Sequence, residues 1–318
     1  MTASYAEAFA PASIGNVAVG FDNLGLAIAG AGDSVIARRI EDPTVRLSAI
    51  TGDRIASDAN QLSCVTDENT AGIAASAFWA RHGDRGGVDL SLAKGTPLGS
   101  GMGSSAASAV AGVVAVNALL DQPLPMGELL EFALTGEAFA SKARHADNVA
   151  PSLLGGLVLC PADYLPRCVS IPAIKGVYSV LVHPHLRVNT AAARAALSAS
   201  VPLDAAVRQL GMLARFIDAC HRGDAALLAG CVADDLIEHQ RSHWVTGFAD
   251  ARDAAMSNGA FGCSLSGSGP SLFALCQQAH ATQIAAAMQA AFSSHDVASD
   301  YWISPMQSAG AVVRERRS

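Results

Sequence analysis

From Pro97 to Ala107 the chain reads Pro-Leu-Gly-Ser-Gly-Met-Gly-Ser-Ser-Ala-Ala, and an apolar run from Ser108 to Leu120 follows directly. Glycine lets backbone N–H groups approach an anion closely, and the first turn of a helix adds unpaired N–H groups at its positive dipole end. A glycine-rich loop feeding a helix therefore suits phosphate binding. The bland alternative is a Gly/Ser linker, but linkers rarely run straight into so long an apolar segment, and Pro97 restrains the turn.

Two familiar phosphate loops do not fit. The P-loop needs Gly-x-x-x-x-Gly-Lys-Ser/Thr, and the only nearby lysine, Lys94, precedes the glycines. A dinucleotide fingerprint needs a βαβ unit with an acid about twenty residues on, whereas Asp121 ends the helix. Any phosphate site here belongs to a different fold.

Glu137 is the second candidate. Met126 to Ala143 has a helical period, with Leu130, Ala133, Leu134, Glu137, Ala138 and Ser141 on one stripe. A carboxylate on an apolar face is costly unless paired. Lys142 or Arg144 could pair with it structurally, or a bound Mg²⁺ could, since that ion takes one or two carboxylates plus substrate phosphates. Gly136 beside it costs the helix about 1 kcal/mol relative to Ala. Asn16 and Asp22 lie in the mixed segment Pro11 to Gly25, where both read as turn formers.

Other constellations fall away. The nucleophile elbow Gly-x-Ser-x-Gly fails at Ser100, Ser104, Ser105, Ser264, Ser266 and Ser268. His239 and His243 stand four apart, but Gln240 replaces the glutamate a metalloprotease needs, so they read as an ordinary pair. Seven widely spaced cysteines with no Cys-x-x-Cys read as buried small hydrophobes in a reducing cytoplasm, not as a disulfide framework or a zinc site.

The elements that must hold these residues follow from pattern. Tyr5 to Ala10, Ser34 to Arg39, Val45 to Ile50 and Val88 to Leu92 read as strands, with Gly30 to Asp33 as a hairpin-like connection. Asp67-Glu68-Asn69 caps a helix through about Arg81. Leu157 to Cys160 reads as a strand, and Pro161 to Pro166 marks a domain boundary between segments 1–162 and 163–318. Beyond it, Val177 to Val182 is a strand, Thr190 to Ser198 and Leu203 to His221 are helices, Ala225 to Arg241 is broken helix, and Ala249 to Ser257 is a further helix. Strands Phe261 to Leu265 and Leu272 to Cys276 flank the second glycine-rich turn, Ser266 to Ser271, before a helix Ala279 to Phe292.

At 318 residues and 51% apolar, the chain can bury a large core. A net charge of −7 argues against nonspecific nucleic-acid binding and anionic membrane surfaces. Met1 to Ala10 lacks the basic start of a secretory signal, and the run after the loop, interrupted by Asn117, is too short to span a bilayer.

Pro11 to Gly25, Pro97 to Ala107 and Ser266 to Ser271 resemble, in order and spacing, the three signature motifs of the small-molecule kinases that include galactokinase, homoserine kinase, mevalonate kinase and phosphomevalonate kinase. His145-Ala-Asp-Asn-Val-Ala-Pro151 followed by Leu154-Gly-Gly156 is similar to the signature of the branch that phosphorylates L-homoserine. The resemblance implies an α+β, two-domain GHMP kinase fold. Its N-terminal domain would be like domain 2 of ribosomal protein S5 and its C-terminal domain ferredoxin-like, with ATP between them. It also implies transfer of the γ-phosphate to the hydroxyl of L-homoserine, a step towards threonine, in the cytoplasm, and it is compatible with a homodimer.

Carried over by position, the loop Pro97, Leu98, Gly99, Ser100, Gly101, Met102, Gly103, Ser104, Ser105, Ala106 and Ala107 wraps the phosphates. Ser105 and Glu137 hold Mg²⁺, and Asn69 lies near the adenine. Asn16, Asp22, Asn148, Thr190, Arg194 and Arg241 match substrate-side positions, the two arginines suited to the carboxylate, while Asn16, Glu137 and Asn148 form the catalytic set. Mevalonate-type members use an aspartate with a lysine as base. Here Asn148 stands at the matching place, which implies no dedicated base and late loss of the hydroxyl proton. Three residues depart from the pattern: Met102 for the usual Leu, Gly15 where Ala or Ser is common, and His239 where Pro often precedes the substrate arginine by two.

Overall fold

The structure is a computed structural model that describes residues 3–52, 62–141 and 144–318. The first sheet grows from two long strands. Tyr5–Gly15 (β1) pairs antiparallel with the 17-residue Leu24–Ile40 (β2). Val45–Thr51 (β3) lies at one edge beside Gly87–Ala93 (β4), which pairs with β2. The parallel β3–β4 pair needs a crossover, and Thr70–His82 (α1) provides it.

The expected connection at Gly30 to Asp33 is instead part of β2. Gly30 takes φ 85° and the β1–β2 register shifts between Pro11 and Ser13, so a bulge absorbs what the turn residues signalled. A Cβ on Gly32 would stand 2.3 Å from the Ala10 carbonyl, which explains the glycine without a turn.

Ser104–Asn117 (α2) is apolar on every side, and a helix of that kind must be enclosed. Every residue from Ala106 to Asn117 is buried, under β1 and β2 and against α1 and Leu130–Ser141 (α3). The predicted helix over 126–143 thus starts later, after a single 3₁₀ turn at Met126–Leu129. Gly136 loses helix propensity but gains close approach: a Cβ there would lie 2.4 Å from the Thr70 carbonyl. That contact draws α3 onto α1 and carries Glu137 inward. Val149–Leu154 (α4) completes this layer.

Leu157–Leu159 (β5) pairs with the inner end of β2, and Val169–Ile171 (β6) pairs with β5. The second sheet begins with Val177–Pro184 (β7). Thr190–Ala195 (α5), shorter than predicted, Leu203–Arg222 (α6), Glu238–Arg241 (α7) and Phe248–Ser257 (α8) follow. The broken helix expected over 225–241 reduces to a 3₁₀ turn at Ala225–Leu228 and α7. Ala260–Leu265 (β8), Leu272–Gln277 (β9), Ala281–Ser293 (α9) and Ser299–Pro305 (β10) finish the unit. Its strand order is β10-β7-β9-β8, all antiparallel. Taken as β7-α8-β8-β9-α9-β10, this is the ferredoxin-like arrangement.

The last strand, Val312–Arg317 (β11), returns to the first sheet and covers the edge of β1. The two sheets therefore do not divide the chain at 162/163, since β6 and β11 lie beyond that point and belong to the first. Unpaired strand edges at β1 and β5 need backbone partners, and these two strands supply them. A shared apolar core joins the halves, with Ile14, Leu24, Leu26 and Met102 packed in one cluster with Phe216 and Phe273. Among the described residues no helix is long and apolar enough to cross a membrane.

Candidate active site

The three glycine-rich segments, far apart in sequence, are hydrogen-bonded into one frame. Ser13 N–H donates to the Met102 carbonyl at 3.0 Å, and Gly267 N–H to the Gly15 carbonyl at 3.1 Å. The hydroxyls of Ser266 and Ser271 each donate, at 2.6 Å, to the carbonyls of Gly101 and Ser100. This contact leaves no room for side chains. At Gly101 (φ 74°) a Cβ would meet the Ser266 carbonyl at 2.5 Å, and at Gly103 (φ 65°) the Ser13 hydroxyl at 2.3 Å.

The loop turns into α2 at Gly103, which offers no side-chain cap, so the first-turn N–H groups stay available to a ligand. Against them opens a cavity of about 330 Å³. Leu98 to Gly101, Gly103, Ser104 and Ser105 line it, as do Asn69, Thr70, Lys94, Glu137 and Asn148. Pro97, Met102, Ala106 and Ala107 do not: the Met102 side chain is fully buried in the shared core, and Ala106 and Ala107 are fully buried in α2. Asn69 caps α1 through Ala71 N–H and donates to the Ser63 carbonyl, so it shapes the cavity wall with its amide already engaged.

Lys94 has a role that spacing did not reveal. Its Nζ meets Asp33 Oδ2 at 2.5 Å and also donates to the hydroxyls of Ser104 and Ser108. Asp33, completely buried, further accepts from Gly95 N–H, Thr96 N–H and Ser108. The pair ties the foot of the loop to β2. A buried pair holds only with such extra hydrogen bonds.

Glu137 meets the loop from α3. Its carboxyl hydrogen-bonds Ser105, and burial pushes it up to about 7, with the Asp147 charge adding to the rise. Arg144 is not its partner; that guanidinium pairs with Glu131. Lys142 lies outside the described residues. An oxygen pair of carboxylate and hydroxyl at a helix N-terminus, inside a cavity suited to phosphates, fits a hard divalent cation. Among the described residues no group of three His, Cys, Asp or Glu is gathered, so phosphates and water would have to complete its coordination.

A smaller cavity of about 80 Å³ adjoins the first and shares Glu137, Asn148, Thr190, Gly267 and Ser268 with it. Asn16, Asp22, His145, Asp147, Arg194 and Arg241 supply the rest of its lining. All six predicted substrate-side residues thus converge here, brought from both halves of the chain. Their roles differ. Asn16 (φ 67°) donates through Nδ2 to the Gly267 carbonyl and accepts from Asp22 N–H, which makes it a brace between first and third motifs. Asn148 accepts from the Ser13 hydroxyl at 3.0 Å, and Thr190 meets the Ser268 hydroxyl at 3.3 Å.

Arg194 is already paired, bidentate, with Asp22. Arg241 is 4% exposed and donates through Nε to the Ala193 carbonyl, yet no carboxylate pairs with it among the described residues. Burial and the nearby Arg194 charge hold its guanidinium below the usual arginine range. Both guanidinium groups lie over the Phe21 ring, at 5.1 Å and 5.7 Å from its centroid. Arg241, two residues after His239, lines the smaller cavity.

Phe21, His145 and Asp147 were not singled out as site residues by sequence. Asp147 is buried, accepts from Asn16 N–H, and is pushed up to about 7 by burial and by Asp22. His145 Nδ1 lies 3.7 Å from Asp22, and neither ring nitrogen has a hydrogen bond among the described residues. The adjacency of His145 and Asp147 to Asn148, and of Phe21 to Asp22, was the available signal.

Two sheets, a glycine-framed cavity at a helix N-terminus and an adjoining polar cavity form a frame that can hold a phosphorylated ligand beside a small polar one. The family model described as GHMP kinases N terminal domain matches residues 69–156, and GHMP kinases C terminal matches residues 216–294. Homoserine kinase of Xanthomonas campestris is 45% identical, covering 96% of this chain and 93% of the relative. Homoserine kinase of Chlorobium phaeobacteroides (strain BS1) is 40% identical, covering 96% and 98%. The crystal structure of homoserine kinase from Cytophaga hutchinsonii superposes with a TM-score of 0.92 at 38% identity, covering 98% of this chain and 97% of that one. Lactococcus lactis galactokinase, at 14% identity and a TM-score of 0.66, shares the fold. The chain belongs to the GHMP kinase family, in its homoserine kinase branch.

Proposed function

We propose that the chain transfers the γ-phosphoryl group of ATP to the side-chain hydroxyl of L-homoserine, with the nucleotide in the larger cavity and the amino acid in the smaller. The observation that carries this reading is the junction itself: Glu137, Asn148 and Thr190 line both cavities, so ligands in the two would meet there. At roughly 10–15 Å³ per water-sized site, the smaller cavity holds on the order of five to eight such sites, the scale of a small amino acid.

The chemistry follows from the lining. Phosphoryl transfer depends on alignment and charge neutralisation more than on covalent catalysis. The first-turn N–H groups of α2 and the loop backbone orient the phosphates. Ser105 and Glu137 would hold Mg²⁺, which when bound neutralises phosphate charge. Arg241, a buried cation with no carboxylate in salt-bridge range among the described residues, takes the substrate carboxylate, and Arg194 shares it from its place on Asp22. Asp22 and Asp147 face the ammonium group. Asn148 positions the hydroxyl without accepting its proton, and Lys94, tied to Asp33, is not free to act as base. The proton therefore leaves late, to the phosphate.

A coupled assay of ADP release with MgATP tests the assignment. Release that depends on L-homoserine and not on mevalonate is expected; release with mevalonate alone would overturn it.

A further inference from the structure

The short hairpin beside the substrate cavity holds two thiols face to face. β5 and β6 pair with Leu157 opposite Ile171, Val158 opposite Ser170 and Leu159 opposite Val169. One further step in that register sets Cys160 opposite Cys168. Cys160 N–H donates to the Asn23 carbonyl at 2.8 Å, on the β2 side, so toward Cys168 it occupies a non-hydrogen-bonded position. Facing residues there come closest, about 4.5 Å between Cα atoms, inside the range of about 4.4–6.8 Å that a disulfide spans. Each thiol acts electrostatically on the other, Cys160 held above and Cys168 below the ordinary thiol range. Cys160 is 1% exposed and Cys168 is half-buried, so only the second is open to solvent. Cys168 thus departs from the expectation that every cysteine is an enclosed hydrophobe, as does the exposed Cys64.

We propose that Cys160 and Cys168 form a reversible disulfide by exchange with a low-molecular-weight disulfide, and that this oxidation reaches the substrate cavity through Asn23. The Cys168 thiol gives its proton to water, and its thiolate attacks one sulfur of the small disulfide. A mixed disulfide forms and one small thiolate leaves. The Cys160 thiol then gives its proton to water, its sulfur attacks Cys168, and the second small thiolate leaves. Two protein thiols are oxidised and one small disulfide is reduced to two thiols. Cys168 is half-buried where Cys160 is enclosed, and its neighbour holds the Cys168 thiol below the ordinary range, so Cys168 is the attacking group and Cys160 the resolving one.

The route to the cavity is short. Cys160 Sγ also donates to the Asn23 carbonyl at 3.4 Å, a bond that oxidation removes with the S–H proton. Asn23 follows Asp22, which holds Arg194 in the cavity wall. The consequence for substrate rests on the homoserine reading above; disulfide formation does not.

The full chain is exposed to excess oxidised glutathione, remaining thiols are alkylated, and peptides are mapped by mass spectrometry. A Cys160–Cys168 linkage that dithiothreitol reverses is expected, and its absence overturns the proposal whatever the kinase substrate proves to be. Cys160→Ser should retain glutathione on Cys168, whereas Cys168→Ser should leave Cys160 unmodified; the opposite pattern overturns the order of attack. With the linkage formed, the KM for homoserine should shift at least twofold while that for ATP stays fixed. An unchanged homoserine KM overturns the coupling through Asn23.

Discussion

Arg194 closes both terminal nitrogens on Asp22, Nη1 to Oδ1 at 2.8 Å and Nη2 to Oδ2 at 2.7 Å, across a sequence separation of 172 residues. The carboxylate on a left-handed turn of the first half thereby fixes a helix of the second. The same pair sorts the two arginines, because Arg194 has an acid and Arg241 has none among the described residues.

Arg241→Ala should therefore do more damage than Arg194→Ala. Losing the buried cation leaves the substrate carboxylate without a charged partner, a cost of about 2 to 5 kcal/mol, or roughly thirtyfold to several-thousandfold in kcat/KM for homoserine. Arg241→Lys should recover only part, since an ammonium lacks the planar fork. Steady-state kinetics in both substrates check this, with the KM for ATP expected to stay near its original value. Equal, negligible effects in both alanine variants would remove the carboxylate site.

Glu137→Gln should keep the fold and lose most turnover, because the amide preserves size without the charge that attracts Mg²⁺. Near-normal activity at saturating Mg²⁺ would refute the assignment. Ser105→Ala should raise the KM for MgATP and leave homoserine binding nearly intact, which titration of each ligand separately measures.

The raised carboxyls of Glu137 and Asp147, each about 7, give the ligand-free protein a pH-dependent stability. A folded-state carboxyl that holds its proton more tightly than in the unfolded chain stabilises fully below its unfolded value, and that contribution is lost as pH rises towards 7. Stability without ligands should fall between pH 5 and pH 8 by on the order of a few kcal/mol, read as a lower melting temperature. Glu137→Gln should flatten part of that slope in thermal melts. Activity should move the other way, rising through about pH 7 at low Mg²⁺ as Glu137 ionises.

Lys94→Met should cost about 3–5 kcal/mol by stranding Asp33 in the interior. The double variant Asp33→Asn/Lys94→Met should be less damaged than the single one, as denaturant melts would show; additive losses would deny the pair its coupling.

Sequence by itself determined the parts whose signals are local. The loop from Leu98 to Ser105 and the apolar α2 behind it are legible because glycine content and hydrophobic run are properties of a dozen neighbouring residues. Glu137 on the inward stripe of α3 follows from helical period in the same way, and Asn69 as a cap from its place before α1. Tertiary structure decided what those residues meet. Glu137 faces Ser105 and not Arg144, Asp22 receives Arg194, Asp33 receives Lys94, and β6 and β11 cross the expected boundary to close the edges of β5 and β1. Each of these partners is selected by burial, which makes an unpaired charge or strand edge costly wherever it lies in the chain. A window along the sequence reports which groups need partners, whereas only the packed molecule reports which ones they obtain.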